Sequence, residues 1–185
     1  MLGYLLWHTP LGDDTGRYED GLVAFHRALA ANAPTGFVRS WTLRVDQPAW
    51  LPEGPAHYLD WYLVDDFTAL GALNEAAVDG TRRRPHDAVA ALARTGTAGV
   101  VALMAGVAEA PADPVVGVLD KPAGQAYDAF RPALAAAVAA AAGAGGWMRQ
   151  MTLGPGPEFV VVGAGGRLPA VPWPVTTLRA ALVTG

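Results

Sequence analysis

The stretch "GFVRSWTL", Gly36 to Leu43, sets an arginine and a tryptophan inside what otherwise reads as a half-buried strand. Far downstream "GWMRQMTL", Gly146 to Leu153, carries Gly, Arg, Thr and Leu at the same four places. Repetition at this distance constrains a fold strongly, because each copy must be one supersecondary unit. The order of elements supports two copies. Gly3 to His8 reads as a buried strand, and Tyr18 to Ala31 as a helix through Leu22, Phe25 and Leu29. "GFVRSWTLRV" and "HYLDWYLV" read as strands, followed by a helix capped at Asp65 or Asp66 and a second helical piece opening at Pro85. "GVVALMAG", Gly99 to Gly106, closes a β-α-β-β-α-β unit.

The second half starts again with "PVVGVLD", a helix from Tyr127 to about Ala142, then "WMRQMTL" and "EFVVVGAG" as strands. "PVTTLRAALV" reads as a last helix, so the predicted order is β-α-β-β-α, the same unit without its final strand. Tyr18 and Tyr127, each followed by an acidic residue, mark matching helix starts.

Each unit resembles the ferredoxin-like split β-α-β motif. Two of them facing each other resemble the dimeric α+β barrel superfamily, fused here into one chain, with residues 1–108 as the first repeat and 113–185 as the second, shorter one. The resemblance implies an α+β fold with two sheets packed face to face as a barrel. That superfamily includes small monooxygenases, chlorite-dismutase-like haem proteins and stress-response proteins, so fold alone leaves function open. Three readings follow: a small-molecule-binding barrel with an aromatic and arginine-lined cavity, a cofactor-free monooxygenase-like enzyme, or a structural or assembly protein without a ligand. A homodimer is among the assemblies the resemblance allows. What separates the readings is whether the space between the sheets is hollow or filled, and a filled space would remove the first two together.

Composition narrows the chemistry. Hydrophobic residues make up 52% of the 185, enough for a sizeable core, and the net charge of -4 argues against a phosphate-backbone partner. Nucleic acid is therefore not expected. The chain has no cysteine, which excludes disulfides and thiolate chemistry and fits a reducing cytoplasm. The start "MLGYLLWHTPLGDD" lacks a basic n-region. "ALAAAVAAAAGAGG", Ala133 to Gly146, is shorter than the ~20 residues a membrane span needs, so no membrane partner is expected.

Alternation puts Phe37, Arg39, Trp41 and Leu43 on one face, and Trp147, Arg149, Met151 and Leu153 on its counterpart. An arginine among aromatics there could meet an anionic ligand bidentately. Because buried charge is paired as a rule, the competing reading pairs each arginine with a carboxylate such as Asp60 or Asp120, or carries it to the strand end. A second candidate pocket joins His8, at the end of the first strand, to Tyr58, Asp60 and Tyr62 on one face of theirs, with Trp7, Trp41 and Trp61 nearby. There His8 could shuttle a proton. The competing reading has His8 capping a turn and the tyrosines at a rim. "TRRRPHDAV" offers Arg83, Arg84 and His86 before a helix start, an anion-site pattern whose commoner outcome is a solvated charge run.

Four scattered histidines lack metal-ligand spacing, and no histidine follows His86 to serve as a second-half haem ligand, so neither metal nor cofactor is expected. "FVVVGAGGRLP" imitates a dinucleotide loop, but Pro169, Pro172 and Pro174 argue against the helix such a loop must open. A single serine, Ser40, leaves little room for serine hydrolase chemistry. For a cofactor-free oxygenase, Trp7, His8, Trp41 and Asn74 are residues of the right type.

Overall fold

The computed structural model describes all 185 residues. Twelve elements follow one another: β1 (Leu2–Pro10), α1 (Thr15–Ala31), β2 (Phe37–Val45), β3 (His57–Val64), α2 (Phe67–Ala77), α3 (Gly80–Ala90), β4 (Ala93–Gly106), β5 (Val115–Leu119), α4 (Tyr127–Ala139), β6 (Gly145–Leu153), β7 (Phe159–Gly163) and β8 (Thr176–Thr184). The eight strands close into one barrel in the order β1-β3-β2-β8-β5-β7-β6-β4, with every pairing antiparallel. The first half contributes β4-β1-β3-β2 as neighbours and the second β8-β5-β7-β6. Closure matters physically, because it pairs backbone groups that an open sheet would leave exposed along its edges.

Local chemistry accounts for the helix starts. The Asp14 side chain accepts from the backbone N–H of Arg17 at 3.0 Å, and Asp66 Oδ1 from that of Ala69 at 2.9 Å, satisfying free donors at the ends of α1 and α2. Along α1 the residues Tyr18, Leu22, Phe25, His26 and Leu29 are buried, one stripe at helical spacing facing the sheet.

The interior of the barrel is solid. All eight strands contribute to its core, with Leu5, Trp7, Trp41, Leu43, Leu59, Trp61, Trp147 and Val160 among the buried members. Trp41 stacks on Trp61 with centroids 5.6 Å apart, and Trp61 meets Trp147 at 5.1 Å. An eight-stranded barrel is just wide enough for side chains to fill, and four indoles fill this one. A second core lies between the outer face of the first half and α1–α3, a third between the second half and α4.

Three expectations are corrected. "PVTTLRAALV" is not a helix: its residues form β8, which bonds to both β2 and β5. The Thr and Val residues favour a strand, and the ladder to two neighbours outweighs the helix preference of Ala180 and Ala181. The second half therefore has its last strand and lacks the helix before it. The proline-bearing segment 164–175 occupies that place, with Trp173 against Phe130 at 4.5 Å.

Second, "DGTRRR" is not a loop ahead of Pro85. Helix α3 begins at Gly80 and contains Pro85 in its interior, where the missing N–H removes one bond from the second turn. Third, strict alternation fails twice. A register shift between Phe37 and Arg39 turns Phe37 outward to the helices while Trp41 and Leu43 stay in the lumen. Another, opposite Val100 and Val101, separates Arg149 from Met151 and sends Met151 to the outer face.

Candidate functional site

The space between the barrel and α1–α3 holds a cavity of about 620 Å³. Leu22, Phe25, Leu70, Leu73 and Val100 are among its apolar walls, while His8, Tyr18, Asp60 and Tyr62 supply its buried polar groups. His8 sits on β1 and Asp60 on β3, diagonal cross-strand neighbours two residues off register and so on the same face, since His8 pairs with Tyr58 and Leu6 with Asp60. Both point outward toward α1. There Tyr18, in the first turn, reaches His8, its hydroxyl 2.7 Å from His8 Nδ1.

Asp60, only 2% exposed, is the hub. Its Oδ1 accepts the Thr42 hydroxyl at 2.6 Å, and its Oδ2 accepts the Tyr62 hydroxyl at 3.0 Å. His8 Nε2 lies 3.3 Å from Oδ2, an ion-pair distance without hydrogen-bond alignment, and His26 Nε2 lies 3.6 Å from Oδ1. Behind this group His26 bridges Thr42 Oγ1 at 3.0 Å and Ser40 Oγ at 2.7 Å, its ring stacked on Tyr62.

Burial opposes a charge on Asp60. The imidazoles of His8 and His26 beside it outweigh burial, holding the carboxyl well below the usual carboxylate range. The phenols move the other way. Burial first, and the Asp60 charge second, push Tyr18 and Tyr62 up, so both stay neutral hydrogen-bond donors. A neutral imidazole backed by a buried carboxylate and touching a phenol at a cavity wall can accept a proton, with the resulting cation held by Asp60. No three His, Asp or Glu side chains are arranged to hold a metal ion.

The structure brings His8, Asp60 and Tyr62 together, sets His86 and Asn74 in the wall of the same cavity, and leaves Trp41 and the arginines elsewhere. Trp41 lies in the filled lumen, as do Trp7 and Trp61, on the face opposite the cavity. Arg39 is half-exposed and pairs with Glu109 at 3.4 Å, not with Asp60 or Asp120, a surface pair of small energetic weight. Arg149 donates to the carbonyl of Gly156 at 3.0 Å near the barrel end. The lumen is packed, so the arginine-lined space expected between the sheets is absent and the binding and oxygenase readings located there fall; the cavity lies instead on the helix side. Arg83 is exposed beside Asp87, Arg84 is exposed within α3, and His86 faces the cavity wall with Nδ1 3.0 Å from Asp87. These three do not converge on one point before a helix start. Asn74 lines the cavity, and the Tyr58 hydroxyl donates to Glu19.

Sequence reasoning missed His26, Thr42 and Ser40. His26 was visible: it lies on the apolar stripe of α1, where a titratable side chain must find a partner. Thr42 and Ser40 alternate with Trp41 and Leu43, which places them on the helix side.

Fold and site define an α+β protein with four helices, a closed antiparallel eight-stranded barrel and one buried His–Asp–Tyr cluster in a helix-side cavity. One solved structure, described as a crystal structure study of an anthrone oxidase-like protein, is similar, with TM-score 0.50 and 14% identity over 87% of this chain and 70% of that one. At that identity the likeness concerns the fold. No family model matches the chain, and no curated protein matches it. No helix is long and apolar enough to cross a membrane.

Proposed function

We propose that this chain binds an apolar small molecule in the helix-side cavity, with one hydroxyl or other exchangeable group of the ligand set against Tyr18 and His8. The carrying observation is a half-open apolar cavity of ligand size with convergent polar groups at its buried end. Its test is titration with 1-naphthol, followed by fluorescence. Saturable binding to the wild type and its loss in Leu73→Trp, which fills the cavity, are expected. Equal binding by both proteins would refute the site.

A second reading, a cofactor-free oxygenase-like enzyme, is favoured by the array Tyr18–His8–Asp60. The structural neighbour's description supplies a trial substrate. Anthrone has an acidic methylene. His8 would take one of its protons, and the carbanion would react with dioxygen to give the quinone and water. Oxygen uptake with anthrone should fall at least ~100-fold in His8→Ala, the scale of a general base. Uptake no faster than in buffer removes this reading and leaves the binding one.

The two halves we read as copies of one ferredoxin-like unit, 1–108 and 113–185, supported by the matching strand orders β4-β1-β3-β2 and β8-β5-β7-β6. With the barrel closed in a single chain, a homodimer would use another surface than a sheet edge.

A further inference from the structure

We infer that Thr42, His26 and Ser40 are positioning residues that fix Asp60 as an oriented anion and so commit neutral His8 to the tautomer whose Nδ1 lone pair faces Tyr18 and the cavity. The inference rests on the reading of His8 as the cavity's working group.

Counting hydrogens gives the directions. The Thr42 hydroxyl has one hydrogen, spent on Asp60 Oδ1 at 2.6 Å. Its oxygen is then left to accept, and the atom 3.0 Å away is His26 Nε2, which must carry a proton. In a neutral ring that leaves Nδ1 bare, to accept from Ser40 Oγ at 2.7 Å. Every hydrogen bond on this arm therefore points toward Asp60. Tyr62 adds a donor to the other oxygen. None of Thr42, His26 and Ser40 lines the cavity, so they reach it only through the carboxylate.

The consequence falls on His8. With Nε2 bare, its lone pair would face an anionic oxygen across 3.3 Å; with a proton there, the positive end of the N–H dipole faces that anion. Nδ1 is then the acceptor of the Tyr18 hydroxyl at 2.7 Å. Tyr58 stacks on His8 at 5.6 Å, but its hydroxyl is committed to Glu19 and does not compete. Without the arm, Asp60 loses donors on Oδ1, is free to turn, and no longer selects one ring nitrogen.

Nitrogen NMR of the ligand-free full chain, ¹⁵N-labelled at histidine and held at a pH where imidazole is neutral, reads the tautomer directly. Wild-type His8 is expected as the Nε2–H form. In Thr42→Val, and more strongly in the double variant with His26→Leu, the ratio should shift about tenfold toward Nδ1–H, the scale of one charge-assisted hydrogen bond. Thr42→Ser should keep the wild-type ratio. A role confined to packing would leave His8 unmoved by Thr42→Val, which preserves side-chain shape. Wild-type His8 protonated at Nδ1, or an unchanged ratio in Thr42→Val, overturns the inference; should the double variant not fold, the single one decides. Because no ligand is present, a tautomer shift without 1-naphthol binding would uphold the arm while removing the cavity function, and the reverse result would do the opposite.

Discussion

Asp60 is the residue on which the site turns, and its energetics have a definite sign. Four side chains, Thr42, Tyr62, His8 and His26, surround a carboxylate that water does not reach. Replacing it by asparagine removes the charge and points an amide donor at groups that are themselves donors. Loss of one partner from such a buried set costs ~3–5 kcal/mol. Because the folded carboxyl titrates well below the unfolded value of about 3.9, its contribution is fully present above about pH 4 and is withdrawn as the pH falls further. Thermal unfolding of wild type and Asp60→Asn should therefore show the widest gap near neutrality and a narrowing gap toward pH 3. A gap that stays constant over that range would mean Asp60 is not the buried anion described. At this scale the sequence was informative where alternation could be trusted. "HYLDWYLV" put Tyr58, Asp60 and Tyr62 on one face, and His8 at a strand end beside them. It could not say which face met the helices, because all eight positions of β3 are buried and polarity no longer marks an outside.

Among the elements, β8 is the one whose placement most changes the molecule. It is the stave that joins β2 to β5, so the barrel closes only with it. Its Leu178 is buried in the lumen core, and Arg179 pairs with Asp46 in the loop after β2 at 3.1 Å. A chain ending at residue 175 would expose the edges of β2 and β5, rows of unpaired N–H and C=O groups ready to join another chain. Such a truncation should elute from size exclusion as aggregate, or unfold, while the intact chain does not; a well-behaved truncated species would show that closure is dispensable. Apart from the start of α3, which carries no side-chain cap, the first eleven elements were readable because their periods are clear. The last was misread because alanine and leucine suit a helix in isolation, whereas its state is decided by two partners more than 50 residues away in sequence.

Seen whole, the molecule separates two apolar compartments by a single layer of strands. The lumen holds Trp7, Trp41, Trp61 and Trp147 at close packing, while the helix side keeps its about 620 Å³ open beside Asp60. Neighbouring residues of β3 serve opposite compartments: Trp61 and Leu59 face inward, Tyr62 and Asp60 outward. Stability and ligand binding should accordingly respond to different substitutions. Trp61 is fully buried between Trp41 and Trp147, so Trp61→Leu leaves a void and should cost ~2–4 kcal/mol, lowering the melting temperature several degrees. Its outer neighbours remain in place, and 1-naphthol affinity should stay within about twofold of wild type wherever the variant is folded. Leu73→Trp should do the reverse, adding bulk to the cavity with little stability lost while binding disappears. Measuring melting and affinity on both variants tests the separation. Binding that falls in step with stability for Trp61→Leu would mean that the strand layer transmits lumen packing to the cavity, and that the barrel core belongs to the site after all.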